Sequence, residues 1–314
     1  MTYRLTIAVF AALAIAAGWA ILRPEQYPGT TVHLAGDSTM APQLASSRPG
    51  TGWGEPFASM LCEGVRVINH ARNGRSTKSF LSEGLWQSLT KQIRAGDIVM
   101  IQFGHNDQKI AAPNLYASPW QDYRDNLQNL VTDARTLGAE PVLLTSIARR
   151  AFNSQGTPEQ TLGDYPEVTR AVAAEMDVKL IDLNSGTHQL LAEMGPKTSK
   201  QLYLHLAPST HANYAQGIED NTHLNSQGAW VVATLVADDL VDFLPDLICI
   251  TRVNDAMAIG GLRWLSDKGI ETPRQVAVAG FNGTSIGQSI QTRLTTLDVP
   301  RREIGRQAAL SILA

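Results

Sequence analysis

The feature that most constrains the fold is a regular alternation of short β-branched runs with longer helical runs, which starts at Thr31 and continues to the region of Pro245. Such an alternation is typical of a parallel sheet covered by helices. It predicts strands at residues 31–35, 65–69, 97–103, 141–146 and 178–183. It predicts helices most clearly at residues 120–137, 165–175 and 226–243, the last one capped by Asn225. We therefore expect residues 31–245 to form one complete three-layer α/β/α domain.

The N-terminal segment predicts export. Residues 5–22 are 18 positions without a charge, bounded by Arg4 and Arg23. The Ala-rich middle and the small residues near the end resemble the apolar core and the cleavage site of a signal peptide. A segment of this length also just spans a bilayer, so an uncleaved membrane anchor is the alternative, and a buried core helix is a third interpretation. We expect residues 1–30 to be a signal peptide or anchor with a linker, and the protein to be secreted or periplasmic.

Composition excludes several classes of protein. The chain is 44% hydrophobic and 18% charged, with a net charge of -3, which is typical of a globular protein and argues against nucleic-acid binding through general basicity. Cys62 and Cys249 are too few for a disulfide framework and have no zinc-site spacing. We expect two buried free thiols, with a bridge between them as the alternative.

The charge changes sign near Pro245. Residues 247–314 contain 8 Lys and Arg against 5 Asp and Glu, a net charge of +3. The total of 26 basic and 29 acidic residues leaves 18 minus 24, or -6, for the residues before them. A new strand and helix pattern also starts there, with Gly269 as a helix stop and a strand at residues 276–280. These shifts predict a boundary that separates residues 246–314 from the preceding domain.

Polar residues follow the predicted strands at the points where ligands bind in open α/β sheets, beyond the carboxyl ends of the strands. The first strand leads into Ser38, which is a candidate nucleophile or, alternatively, a cap for a following helix. The second and third strands lead into Gly74 and Asn106. Asp220 and His223 stand three residues apart just before the last predicted helix.

These residue types suit acyl transfer. A serine hydroxyl needs a base to remove its proton. His223 suits that role, because the ordinary pKa of a histidine side chain lies near neutrality. Asp220 would accept from the other ring nitrogen and hold the tautomer. The backbone N–H groups of Ser38 and Gly74, together with the Asn106 side-chain amide, would form an oxyanion hole.

The same residues resemble a known family. Four blocks, GDS at 36–38, Gly74, GHND at 104–107 and DNTH at 220–223, resemble those of the SGNH (GDSL-type) hydrolases in the same order. Further runs resemble the rhamnogalacturonan acetylesterases of carbohydrate esterase family twelve: GWG at 52–54, NGRSTKSF at 73–80, DYP at 164–166 and THLN at 222–225. The resemblance implies a flavodoxin-like three-layer sheet and no cofactor. It implies Ser38 as nucleophile, His223 as base and Asp220 as its partner, with Ser38, Gly74 and Asn106 as oxyanion donors.

Other candidates have simpler interpretations. We expect His105 to hold its turn rather than to act on substrate. Three histidines lack the spacing of a common zinc site, so we expect no metal: His205, His211 and His223. Three tryptophans either line a sugar groove or pack in the core: Trp53, Trp86 and Trp120.

The tail resembles a different family. The runs NDAMAIGGL at 254–262, VAVAGFN at 276–282, LTTLD at 294–298 and RREIGRQAA at 301–309 resemble the sensor domain of LacI/GalR-type repressors. Only part of one lobe is represented, so the resemblance implies a partial periplasmic-binding-protein-like α/β lobe. Asp255 and Asn282 resemble positions that contact a sugar effector, although the cleft would be open on one side. We interpret residues 246–314 as a fragment joined to the hydrolase by gene fusion or sequence-assembly error.

Three functions compete. The first is an exported serine esterase that removes O-acetyl groups from a plant cell-wall polysaccharide, above all rhamnogalacturonan, through an acyl-enzyme. The second is the same chemistry on another ester, such as an acetylated oligosaccharide, a lipid or a thioester. The third is a sugar-binding regulator, which the export segment and the lack of a helix-turn-helix pattern disfavour. We expect a monomer that binds no nucleic acid and touches a membrane only through its N-terminal segment.

Overall fold

The computed structural model describes residues 29–61 and 64–241, Leu244, and short segments between residues 262 and 297. The chain divides into two compact units, and Gly29–Leu244 is the larger one. The predicted export segment, both cysteines, Asp255 and Asn282 lie outside the described residues.

The larger unit is built on a sheet of five parallel strands in the order β2-β1-β3-β4-β5. The strands are β1 Thr31–Gly36, β2 Arg66–Asn69, β3 Ile98–Gln102, β4 Glu140–Leu144 and β5 Lys179–Ile181. Every strand boundary lies within two residues of its predicted position, which confirms the flavodoxin-like sheet. The strand order reverses between β1 and β3, so these two strands diverge at a topological switch point where ligands bind.

Seven α-helices of the larger unit complete the layers: α1 Gly54–Phe57, α2 Thr77–Ser82, α3 Leu85–Thr90, α4 Arg124–Thr136, α5 Tyr165–Glu175, α6 Leu183–Thr198 and α7 Ser226–Val241. Buried side chains of α2 to α5 pack in one cluster with Val99 and Ile101 of β3. Gln102 points to the opposite face of the sheet, because side chains alternate along a strand, and there it contacts Trp53 just before α1. Helix α1 in turn packs on α7, and α7 packs on α6. The sheet is therefore covered on both faces, as predicted.

The helix starts follow local hydrogen-bond rules. Ser76 and Ser79 form a reciprocal capping box at α2, with each hydroxyl oxygen accepting the other residue's backbone N–H at 3.1 and 2.9 Å. The Asn225 side chain accepts the Gly228 backbone N–H at 3.0 Å, as predicted for the cap of α7. The helix predicted at residues 120–137 starts instead as a π-helical turn, Pro119–Tyr123, which leads directly into α4.

An antiparallel hairpin that the sequence pattern did not reveal connects α6 to α7. It consists of β6 Tyr203–Leu206 and β7 Ile218–Leu224. Strand β7 carries both Asp220 and His223 and ends one residue before the Asn225 cap. The hairpin is therefore the element that carries the predicted base and its carboxylate partner.

In the second unit, the described strands are β8 Ala279–Phe281 and β9 Thr295–Leu297, which pair in parallel. Strand β8 overlaps the strand predicted at residues 276–280. Gly269 has a φ of +71° and follows helical residues, in agreement with the predicted helix stop. A search of the helices that the structure describes finds none that is both long and apolar enough to cross a membrane.

Candidate active site

Ser38 lies in a turn directly after β1. The Asp37 carbonyl oxygen accepts the Ala41 backbone N–H at 2.9 Å and closes the turn. At Gly36, an added Cβ would lie 2.9 Å from the Gln102 carbonyl oxygen, so a side chain at this position would collide with the neighbouring strand. Ser38 itself is 9% exposed. The turn thus holds the hydroxyl at the carboxyl end of β1, next to the switch point.

Three predicted site residues form one hydrogen-bonded chain. The Ser38 hydroxyl lies 2.9 Å from His223 Nε2, and His223 Nδ1 lies 2.7 Å from Asp220 Oδ2. Asp220 Oδ1 also accepts the backbone N–H groups of Thr222 and His223 at 2.7 and 2.9 Å. A turn of β7 therefore fixes the carboxylate, which in turn fixes the imidazole against the serine.

The charges of this chain suit proton removal from Ser38. Burial acts to raise the pKa of Asp220, but hydrogen bonds from His223 and Thr222 outweigh it and lower the pKa to about 2. The hydrogen bond to Asp220 raises the pKa of His223, and burial opposes that effect. An ionised Asp220 can only accept, so it requires a proton on His223 Nδ1 and leaves Nε2 to accept the Ser38 O–H.

The two other predicted oxyanion residues lie on neighbouring loops. Gly74 has a φ of +76°, and no atom lies within 4 Å of the position where a Cβ would stand, so its backbone borders open space. Asn106 is 3% exposed and donates from Nδ2 to the Arg75 carbonyl oxygen at 3.0 Å. An amide nitrogen carries two hydrogens, so this bond leaves one free to donate elsewhere. The loop containing Gly74 and the loop containing Asn106 are therefore joined directly.

A side chain that the sequence did not point out links Ser38 to the Gly74 loop. Gln43 donates from Nε2 to the Ser38 carbonyl oxygen at 2.8 Å. The same side chain accepts from Asn73 Nδ2 at 2.9 Å. Ser38, Gly74 and Asn106 consequently belong to one network that runs through Gln43, Asn73 and the Arg75 carbonyl group.

Buried polar groups hold the turn that contains Ser38 through hydrogen bonds. Asp37 Oδ1 accepts the backbone N–H and the hydroxyl of Thr39 at 2.9 and 2.8 Å, and Oδ2 lies 3.4 Å from His105 Nδ1. Gln102 donates to the Thr39 hydroxyl at 2.7 Å and accepts from Trp53 at 2.8 Å. Burial acts to raise the pKa of Asp37, yet the contacts with His105 and Thr39 lower it overall. His105 thus lies against the carboxylate that holds the turn, in agreement with a structural role.

Asp107 ties the Asn106 loop to the start of α2. Its Oδ1 accepts the backbone N–H and the hydroxyl of Thr77 at 2.9 and 2.5 Å. The Tyr165 hydroxyl donates to its carbonyl oxygen at 3.0 Å. Complete burial raises the pKa of the Asp107 carboxyl to about 7. These bonds fix the backbone on the far side of Asn106.

Comparison with known proteins finds a family match over most of the larger unit. The GDSL-like lipase/acylhydrolase family matches residues 34–231. Rhamnogalacturonan acetylesterase RhgT from Bacillus subtilis (strain 168) is 44% identical over 209 residues, which are 67% of this chain and 88% of that protein. The chain belongs to the GDSL-like lipase/acylhydrolase family. It is accordingly a carboxylic ester hydrolase, as the resemblance in its four sequence blocks implied.

A solved structure supports the fold of this GDSL-family hydrolase. The crystal structure of the protein YxiM from Bacillus subtilis aligns with a TM-score of 0.56 at 24% identity. The alignment covers 68% of this chain and 56% of YxiM. At this level of identity the likeness shows the shared fold alone.

The tail matches a second family, as its sequence implied. A periplasmic binding protein-like domain matches residues 193–314, a range that overlaps the GDSL match over residues 193–231. The HTH-type transcriptional regulator IdnR from Escherichia coli (strain K12) is 34% identical over 76 residues. This stretch is 24% of the present chain and 23% of the regulator, so less than a quarter of that protein is represented.

The structure separates the three tryptophans predicted as groove or core residues into two groups. Trp53 and Trp86 are fully buried, so their interpretation as groove residues is wrong. Each still satisfies its N–H, Trp53 on Gln102 and Trp86 on Asp133 at 2.8 Å. Trp120 is 49% exposed and remains available to a ligand.

The downstream histidines lie in separate environments. His205 Nε2 contacts Asn221 Oδ1 at 2.9 Å, whereas His211 accepts the Asn213 backbone N–H at 3.2 Å. His223 is engaged by Asp220. Over the described ranges, no group of three or more His, Cys, Asp or Glu side chains could hold a metal ion.

Sequence reasoning missed Gln43, Lys109 and Arg149. Lys109 Nζ donates to Asn106 Oδ1 at 2.6 Å, and Arg149 lies 3.4 Å from the His105 carbonyl oxygen. Burial lowers the pKa of Arg149, against the opposing charges of Asp37 and Asp220. The spacing of Asn106 and Lys109, three residues apart in a turn, was the one available signal. Gln43 had none, because its role depends on two loops that meet only in the fold.

Proposed function

We propose that this GDSL-family hydrolase is a serine esterase that removes acetyl groups from a polysaccharide, and that rhamnogalacturonan is its substrate. The observation that carries the proposal is the hydrogen-bonded chain from Ser38 to His223 and Asp220, with distances of 2.9 and 2.7 Å. The acetyl group and the polysaccharide are supported by the similarity to RhgT, which is named for rhamnogalacturonan deacetylation.

The first half of the reaction acylates the enzyme. His223 Nε2 takes the hydroxyl proton of Ser38 as Oγ attacks the acetyl carbonyl carbon, and Asp220 stabilises the imidazolium that forms. The carbonyl oxygen becomes an oxyanion, which accepts hydrogen bonds from the backbone N–H groups of Ser38 and Gly74 and from the Asn106 amide. The bond to the sugar oxygen then breaks, and His223 returns its proton to that oxygen. The deacetylated sugar leaves, and an acetyl ester remains on Ser38.

The second half regenerates the enzyme. His223 accepts a proton from water as the water oxygen attacks the acetyl carbonyl of the acyl-enzyme. The same donors stabilise the second oxyanion. The bond to Ser38 Oγ breaks, His223 returns the proton to Ser38, and acetate is released. Both halves use the same base and the same three oxyanion donors, so one geometry serves the whole cycle.

We further propose that residues 31–245 carry the activity and that residues 1–30 direct the protein out of the cytoplasm. Every residue used in the mechanism lies within residues 31–245. The tail, residues 246–314, has no role in the mechanism, and we propose that the enzyme is active as a monomer.

The test is acetate release from acetylated rhamnogalacturonan, with acetylated xylan, acetylated homogalacturonan, a triglyceride and an acyl thioester as comparison substrates. We expect the highest kcat/KM on rhamnogalacturonan and no release by Ser38→Ala. Ser88→Ala is the matched control, because the Ser88 hydroxyl donates to the Gly84 carbonyl oxygen at 2.9 Å, at the start of α3. Full activity of Ser38→Ala would contradict the mechanism, and a preference for another ester would contradict the substrate.

A further inference from the structure

The side-chain amide of Asn106 is held at both ends. Its nitrogen donates to the Arg75 carbonyl oxygen at 3.0 Å, and its oxygen accepts from Lys109 Nζ at 2.6 Å. An amide rotated by 180° would place its NH₂ group against an ammonium and its oxygen against a carbonyl oxygen. Both contacts would then be repulsive, so Lys109 and Arg75 select one orientation of the amide.

The local backbone brings Lys109 to this position. The Lys109 backbone N–H donates to the Asn106 carbonyl oxygen at 3.1 Å, which closes a turn and places the two side chains on one side. Lys109 is an exposed residue, whereas Asn106 is buried. Among the residues that the structure describes, the Lys109 ammonium makes no ion pair with a carboxylate. Among the described residues, the Asn106 amide oxygen is therefore the one hydrogen-bond acceptor of this ammonium.

We propose that Lys109 is a positioning residue that orients and polarises the Asn106 amide for the oxyanion hole. This inference rests on the proposed serine esterase mechanism. An ammonium on Oδ1 withdraws electron density from the amide nitrogen through the conjugated O–C–N system, so the free N–H becomes a stronger donor. Hydrogen bonds linked in this way strengthen one another.

The benefit is specific to the transition state. The acetyl carbonyl oxygen of the bound substrate carries little charge, whereas the oxyanion carries nearly a full one. A stronger donor therefore stabilises the transition state more than the bound substrate, which raises kcat and leaves KM almost unchanged. A role of Lys109 in substrate binding alone would change KM instead.

Lys109 also contributes to the electrostatic environment of His223. Asp220 and Asp37 raise the pKa of His223, and Lys109 lowers it. Removal of the Lys109 charge should move the acid limb of the kcat/KM profile to higher pH. This shift requires the Lys109 charge itself, so it should appear in both neutral variants and be absent from Lys109→Arg, which keeps the charge.

The test compares Lys109→Met, Lys109→Gln and Lys109→Arg with p-nitrophenyl acetate, a small neutral ester that does not depend on the polysaccharide substrate. We expect kcat of Lys109→Met to fall about tenfold, equivalent to about 1.4 kcal/mol, with KM changed less than about twofold. Lys109→Gln serves as a second neutral variant, and Lys109→Arg should recover most of the loss. Lys78→Met is the matched control, because Lys78 is exposed and donates to the Pro113 carbonyl oxygen at 2.8 Å.

A double-mutant cycle decides whether Lys109 acts through Asn106. In an Asn106→Ala background, Lys109→Met should cost less than about twofold in kcat, because the amide that it polarises is gone. An equal loss in both backgrounds, or a kcat of Lys109→Met within about twofold of the wild type, would overturn the proposal. Ser38→Ala is measured in parallel. Full activity of Ser38→Ala would show that the proposed serine mechanism is wrong, whereas an inactive Ser38→Ala beside an unaffected Lys109→Met would overturn the Lys109 proposal alone.

Discussion

The Asp220→Asn substitution tests which ring nitrogen of His223 carries the proton, with little change in the shape of the site. Asp220 Oδ1 accepts two backbone N–H groups at 2.7 and 2.9 Å, so in the variant the amide oxygen will stay there. The amide NH₂ then faces His223 Nδ1, where the carboxylate oxygen lies at 2.7 Å in the wild type. A donor at that place requires His223 Nδ1 to accept, which moves the ring proton to Nε2. The nitrogen that faces Ser38 then has no lone pair with which to remove a proton.

The expected loss follows from two contributions. The wrong tautomer removes general base catalysis, which typically contributes 10²–10⁴-fold. The developing imidazolium also loses the ionised carboxylate, whose hydrogen bond with His223 is one of the interactions that hold the pKa of Asp220 low against burial. Since the two contributions overlap, we expect kcat/KM to fall by roughly 10³–10⁴-fold, or about 4–5.5 kcal/mol.

The assay is hydrolysis of p-nitrophenyl acetate, with the free energy of unfolding measured in urea to show that the variant is folded. Asp133→Asn is a suitable control, because Asp133 accepts the Trp86 N–H at 2.8 Å and an amide oxygen can do the same. We expect that control to retain its activity within about twofold. A kcat/KM of Asp220→Asn within tenfold of the wild type would refute the assignment of Asp220 as the partner of His223.

Three further predictions concern stability and domain organisation. Thr77→Val removes a hydroxyl donor from the buried Asp107 carboxyl, so the free energy of unfolding in urea should fall by about 1–3 kcal/mol; an unchanged value would contradict the role of that bond. Burial lowers the pKa of His70 from 6.5 to about 4, with help from His33, so the unfolded chain binds more protons between these pH values. The free energy of unfolding should therefore fall as the pH drops from 6.5 towards 4. His70→Gln should remove most of this slope, whereas an equal slope in both proteins would show that other groups cause it. Truncation after Pro245 should preserve kcat/KM on p-nitrophenyl acetate and improve solubility, whereas loss of activity in a folded truncation would place the tail within the enzyme.

The sequence predicted the central sheet well because its strands are short runs rich in apolar and β-branched residues. It missed the β6–β7 hairpin, because residues 219–223 of β7 are five consecutive polar residues with no alternation of apolar and polar side chains. It also missed α2 and α3, each of which is six residues long and too short for a clear helical period.

Ser38, Gly74 and Asn106 were recognisable as candidates because they follow strands at the edge where ligands bind. Asp220 and His223 were recognisable by their three-residue spacing before a helix. Their neighbours were not, since Gln43 and Asn73 meet only when two loops fold against each other, 30 positions apart in sequence. Trp53 shows the converse problem: it belongs to a run that resembles the acetylesterases, yet its ring is buried and its N–H donates to Gln102. Such roles depend on tertiary contacts that no local pattern encodes.

The most direct test of the central claim is to trap the acyl-enzyme. The protein is mixed with acetylated rhamnogalacturonan, quenched in acid during turnover, digested and analysed by mass spectrometry. We predict the mass of one acetyl group on the peptide that contains Ser38, with acetate released in the same reaction and neither signal in Ser38→Ala. Acetate release without acetylation of Ser38, or at an undiminished rate in Ser38→Ala, would contradict a mechanism in which Ser38 is the nucleophile.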